Sequence, residues 1–214
     1  MQLHVPVGDL SAIDQVAAIA PIEQFHPSSS DHRPAACCRI AHGPRTIYLR
    51  YEVTDKYVRC VHQGYQSSVW RDSCVEFFVQ PKPDHGYFNF ETNCGGQLLL
   101  KYIKDPFRDA HNVVQNTKDV PQSHIADLIV HASLPVPYES KGDEEVKWWV
   151  TVTIPIDFMQ KYVGPLADLS GQTWRANFFK CGDDTPKPHF GSWASIGEKM
   201  EFHQPDKFGK LIFD

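Results

Sequence analysis

Two stretches carry side chains whose types and spacing could do chemistry. Residues 68–81 read SVWRDSCVEFFVQP and residues 87–97 read YFNFETNCGGQ. Side chains two apart on a strand share a face, so an extended chain puts Trp70, Asp72, Cys74, Glu76 and Phe78 together. The same rule aligns Asn89, Glu91 and Asn93, leaving Phe88 and Phe90 on the other side. An indole beside a carboxyl suits a sugar: the ring covers the C–H face of a pyranose while the carboxyl bonds its hydroxyls. Three polar side chains on one strand face add a row of donors and acceptors. A core tryptophan beside a surface glutamate, and a solvated outer strand face, explain the same residues. A third stretch, WRANFFKCGDDTPKPHFGSWASI, ends with Trp193 in a segment that Pro and Gly mark as loop. That indole is free to help bind or simply to close one end of a core.

Other chemistries find less support. Glycoside hydrolysis needs two carboxylates roughly 5–10 Å apart, and Glu76 with Glu91 could be such neighbours on paired strands. No acid-rich loop cluster marks a cleft, so no catalytic residue is assigned. A haem module would need an axial methionine with a histidine or lysine. Only Met1, Met159 and Met200 are present, and C-x-x-C-H is absent. The histidines, His62, His85, His111, His124 and His131 among them, are scattered, and no H-E-x-x-H or C-x-x-C occurs. No metal ligand or cofactor is assigned, and the Asp183–Asp184 pair is too short a signal for calcium. The cysteines Cys37, Cys38, Cys60, Cys74, Cys94 and Cys181 lack framework spacing and read as free thiols.

The elements that must position these residues are mostly strands. TIYLRYEVTD alternates Ile47, Leu49, Tyr51 and Val53 against Tyr48, Arg50 and Glu52. YVRCVHQ, CVEFFVQP, YFNFETNC, QLLLKYI, HIADLIVHASL, KWWVTVTIP, WRANFFKCG and GKLIFD continue in that style, punctuated by Pro and Gly. One helix is expected in LSAIDQVAAIA, capped by Ser11 and stopped by Pro21, and a second turn in PIDFMQKYV near Asp157. Short strands at this spacing indicate an all-β, antiparallel β-sandwich of jelly-roll or immunoglobulin-like type with one or two short helices. No repeat or low-complexity linker divides residues 1–214, so one domain is expected.

Composition narrows the partners. With 42% hydrophobic and 22% charged residues the chain can bury a core. A net charge of −5 without a basic run argues against nucleic acid and anionic membranes. The start, MQLHVPVGDLSAIDQ, has neither a basic n-region nor an apolar h-region, so a cytoplasmic location is expected, or secretion if a leader precedes it.

Taken in order, WRDSCVE, FNFETNCGG, WRANFFKCGD, HFGSWASI and FHQPDKFGKLIF resemble the family 9 carbohydrate-binding modules of xylanases. More closely they are similar to the stand-alone family 9-like proteins of bacteria. The resemblance covers roughly residues 40–214 and leaves 1–40 as an N-terminal extension. It implies a non-catalytic antiparallel sandwich in which two tryptophans clamp a sugar, with a preference for reducing ends, and at most a structural calcium. It implies further that Trp70 and Trp193 are those rings, that Glu76 is the acid between them and that Asn177 is a slot amide. Carbon contacts settle near 3.5–4 Å, so rings clasping one pyranose would stand roughly 7–8 Å apart. The expected partner is a mono- or oligosaccharide, held at about micromolar strength.

Overall fold

Alternation decides the layers. Thr46–Asp55 buries every second residue, because Ile47, Leu49, Tyr51 and Val53 face inward while Tyr48, Arg50 and Glu52 meet solvent. A computed structural model describes residues 1–105 and 115–214. Its strands, in chain order, are β1 (Gln2–Val5), β2 (Ala18–Pro21), β3 (Gln24–Phe25), β4 (Ala35–His42), β5 (Thr46–Asp55), β6 (Arg59–Cys60), β7 (Cys74–Gln80) and β8 (Tyr87–Asn93). They continue with β9 (Leu98–Ile103), β10 (Thr117–Asp119), β11 (Ile129–Ala132), β12 (Tyr138–Glu139), β13 (Val146–Pro155), β14 (Thr173–Cys181), β15 (Phe190–Ser192) and β16 (Gly209–Phe213).

Nine strands form the larger sheet in the order β1-β16-β14-β7-β8-β9-β10, with β15 and β3 attached beside β14. Five form the smaller sheet, β11-β13-β5-β4-β2, and β12 pairs β6 apart from both. The pairings are antiparallel except β1 on β16. The two sheets share one apolar interior, where Phe77 stacks on Phe178 at 5.1 Å, Tyr51 of the opposite layer sets its ring edge-on to Phe178, and Leu49, Trp148 and Val150 join the same cluster. The expected β-sandwich is therefore the observed architecture. Tyr51 ties the layers at one informative point: its hydroxyl donates to the Glu76 carbonyl at 2.7 Å.

Several local expectations change. The N-terminal helix is only Ile13–Val16, with Ala12 at its N-cap, and the turn before it is held by Asp9, whose Oδ1 accepts from the Ser11 and Ala12 amides. Ser11 is thus not the cap. From Ala18 the chain is extended, because pairing with β4 offers Ile19 and Ala20 more than helix propensity does. Residues 1–40 are no appendage, since β1 edges the larger sheet and β2 and β4 build the smaller. YVRCVHQ and HIADLIVHASL yield only β6 and β11. The second helical turn does form, as Ile156–Met159 and Gln160–Val163, and ends at Gly164 with φ of 73°. No helix among the described residues is long and apolar enough to cross a membrane.

A sandwich strand normally leaves one face wet, yet β7 and β8 are buried along nearly their whole length on both faces. The second cover comes from the segment after β15. Ile196, Met200, Phe202 and Phe208 fold across the outer face of the larger sheet onto Phe78, Tyr87, Leu99, Ile103 and Phe179. Phe202 stacks on Phe179 with centroids 4.1 Å apart. Under that cover lies the candidate site.

Candidate functional site

Strand register assembles the floor. Glu76 of β7 sits directly opposite Glu91 of β8, and Phe78 opposite Asn89, which is opposite Lys101 of β9. These side chains point outward beneath the covering segment and line a cavity of about 650 Å³. Its walls add Trp70, Cys181, Asp183, Phe190, Met200 and Phe202.

The floor is polar, buried and strongly oriented. Asn89 is fixed at both ends: its Oδ1 accepts from the Lys101 amide at 3.0 Å and its Nδ2 donates to Glu91 Oε1 at 2.6 Å. The Cys181 thiol donates to Glu76 Oε1 at 3.1 Å. The second oxygens, Glu76 Oε2 and Glu91 Oε2, are buried without a hydrogen-bond partner among the described residues. Burial pushes the Glu76 carboxyl well above its ordinary range, with Cys181 and Glu91 adding to it. Burial also pushes Glu91 up to about 8, against the opposing pull of Lys101 and Asn89. Asp183 on the wall is raised to about 6 by burial and by Asp184. Burial thus favours the neutral form of both floor carboxyls, a form able both to donate and to accept.

That protonation has a consequence for stability. The native state holds the Glu91 proton more tightly than the unfolded chain does, so its contribution is complete below 4.5 and is lost as pH rises through about 8. Each such group can tilt stability downward by up to about 1.4 kcal/mol per pH unit within its window. Glu91→Gln, a permanently neutral mimic, should lose less stability than the parent between pH 6 and pH 8.5. Urea midpoints at the two pH values measure it, and equal losses would refute the assignment.

Trp70 reaches this cavity by a different route from the one strand parity suggested. It sits on a 3-10 turn, Val69–Arg71, rather than on a strand. Val69 is buried beneath the turn, and the Asp183 and Asp184 amides donate to the Trp70 and Arg71 carbonyls. Asp72 is its anchor. The Val61 and His62 amides donate to Asp72 Oδ2 at 3.0 and 2.9 Å, and Asn93 Nδ2 does so at 2.9 Å. Trp70 stays half-buried at the rim, with the Arg71 guanidinium 5.0 Å from its ring centre.

The other expected site residues divide. Trp70, Glu76, Asn89 and Glu91 come together at the cavity. Asn93 does not, because its amide is spent on Asp72, on the His62 carbonyl and on the Gln97 amide. Asn177 does not either: it clips the Ala194 backbone through paired bonds of 2.9 Å and so sets where the covering segment begins. Trp193 is the main correction. It lies in the inter-sheet core at 3% exposure, edge-on to Phe178, on the far side of the sheet from Trp70. An added Cβ at Gly209 would stand 2.4 Å from its ring, so that glycine makes room for it. The two indoles do not face one cavity.

Lys101, Asp183, Phe190, Met200 and Phe202 were missed as lining. Lys101 had a signal, a lone cation inside the leucine run of QLLLKYI, whereas the covering segment has no periodicity to read. His111 lies outside the described residues.

The architecture is that of a β-sandwich binding module, and a covered trough on the outer face of its larger sheet is the candidate site. The chain belongs to carbohydrate-binding family 9, whose sequence profile matches residues 9–213. The match therefore takes in most of the segment expected to be an extension. A crystal structure of a Bacteroides uniformis protein proposed to bind carbohydrate is 32% identical, with a TM-score of 0.86 over 100% of this chain and 99% of that one. Two structures of a family 9 module from Caldicellulosiruptor kristjanssonii, with cellotriose and with glucose, share the fold. Their TM-scores are 0.63 and 0.62 and their identities 13% and 12%, over 100% of this chain and 94% and 96% of theirs. A search of curated protein sequences finds no match.

Proposed function

We propose that the trough binds a neutral mono- or short oligosaccharide without cleaving it, with one ring laid on Trp70 and its hydroxyls bonded by Glu76 and Glu91. The observation that carries this reading is the pair of buried carboxyls, each with one oxygen lacking a hydrogen-bond partner among the described residues, at the floor of an aromatic-walled cavity. A polyol satisfies such groups with no charge to desolvate, whereas an ionic ligand would have to offset that cost. The volume suits a small ligand. Family membership and the sugar-bound relatives support the same class.

The geometry favours binding over hydrolysis. Glu76 and Glu91 do face each other, as a paired-carboxylate mechanism would want, but such a mechanism needs one of them ionised at working pH. Burial raises both above the ordinary carboxylate range, which works against the ionised partner such a mechanism requires. A single platform at Trp70 replaces the two-ring clamp, and the reducing-end preference rests on the family resemblance alone.

Calorimetric titration with glucose, cellobiose, cellotriose and matched xylo- and galacto-oligosaccharides tests this, with borohydride-reduced cellotriose reading the preference for a reducing end. Saturable binding of at least one series, with no release of aglycone from aryl glycosides, is the expected result. Absence of binding across the panel would overturn the reading.

A further inference from the structure

Beneath the Trp70 turn the larger sheet brings two thiols and a carboxyl to one point. Cys74 and Cys181 are directly opposed on β7 and β14, and Glu76 is the next residue on that face of β7. One ligand atom from each of the three lies within 4.8 Å of the others, all buried. A tetrahedral ion with metal–sulfur bonds of about 2.3 Å and metal–oxygen bonds of about 2.0–2.2 Å sets its ligands roughly 3.5–3.8 Å apart. The three ligand atoms, none more than 4.8 Å from another, need close by only about 1 Å to reach that spacing.

A second observation points to a ligand at this place. Glu76 Oε2 is a buried oxygen without a hydrogen-bond partner among the described residues. Cys181 and Glu76 line the cavity, so the fourth position of a tetrahedron opens toward it.

We propose that Cys74, Cys181 and Glu76 form a site for a thiophilic d10 cation, Zn²⁺ being the physiological candidate. Two sulfurs and one oxygen select zinc over calcium or magnesium, which take oxygen shells. Binding displaces the protons of both thiols and of the carboxyl into solvent, so affinity rises with pH. A divalent charge reverses the local preference for neutral groups, because it offsets two of the three anions it creates, and the buried Lys180 ammonium lies close enough to favour the third. The site does not rest on the saccharide reading, although Glu76 serves both. A bound cation would withdraw that carboxyl from a sugar.

Cd²⁺ titration of the phosphine-reduced protein, followed by the ultraviolet thiolate-to-cadmium charge-transfer band and by Zn²⁺ competition, tests it. One equivalent is expected. Cys74→Ser and Cys181→Ser should each abolish the band, and Glu76→Gln should weaken Zn²⁺ by about tenfold or more. Cys60→Ser should leave the band intact, as should Trp70→Ala, the variant that instead reports on sugar binding. The parent alone gives a second measurement: Co²⁺ should show intense tetrahedral d–d bands, and Zn²⁺ but not Ca²⁺ should raise Tm. A parent protein without a band, or a band that survives both Cys74→Ser and Cys181→Ser, overturns the proposal while leaving the saccharide reading standing.

Discussion

Trp193→Ala should lower folding stability by about 3–5 kcal/mol, the cost of truncating a large buried aromatic. Its ring fills the space between Phe178 and Gly209 in the shared interior, so the truncation leaves a cavity that the sheets cannot collapse. For a chain of this length that loss shifts Tm by roughly 6–20 °C. Trp70→Ala should behave in the opposite way. Trp70 is half-buried on a short turn that Val69, Asp72 and Asn93 hold independently of the indole. Its removal should change Tm little and weaken saccharide binding by about 2 kcal/mol, roughly thirtyfold, as expected of a central aromatic contact. Folded Trp193→Ala should retain sugar affinity. Melting curves and calorimetry on both variants read the contrast. Loss of affinity without loss of stability at Trp193 would return that residue to the site.

Lys180→Met should be nearly as damaging to stability, at about 3–5 kcal/mol, because it strands a buried carboxylate. Lys180 is fully buried at one end of the interior, with its Nζ 2.9 Å from Asp55 Oδ2, 2.6 Å from His189 Nε2 and 2.9 Å from the Cys181 carbonyl. His32 Nε2 meets the other Asp55 oxygen at 2.6 Å. Burial alone would push the Asp55 carboxyl up, but Lys180 and His32 outweigh it and hold it well below its ordinary range. Stability from this pair is present above the usual carboxylate value and is lost as pH falls through the depressed one. His189 adds an acid limit at milder pH. Burial, then Lys180, push it down to about 3, so protonation of the unfolded chain draws stability away as pH falls below 6.5. Combining Asp55→Asn with Lys180→Met removes both charges and should recover much of the single-variant loss. Denaturant midpoints for the two singles and the double form the test. A double variant no better than Lys180→Met would mean that the charges are uncoupled.

Alternation along the chain was enough to specify the sandwich and half of the trough. A period of two puts Glu76 on the face of Cys74 and Phe78, and Glu91 on that of Asn89, whatever the neighbours are, because the pleat leaves no other choice. Register, decided by long-range pairing, then set Glu76 against Glu91 rather than one step away. The fate of Trp193 was not legible, since β15 exists only by pairing with β14 and β3, and Asn177 then clips Ala194. Loop composition around an indole cannot say which side of a sheet that clip turns it toward. Asn93 and Asn177 are likewise polar residues on strands, and only contacts distant in sequence show that they hold Asp72 and the covering segment. The burial of the floor belongs wholly to the tertiary structure. Residues 196–208 lie across a face that alternation alone would have left to water, and that burial favours the neutral form of both carboxyls.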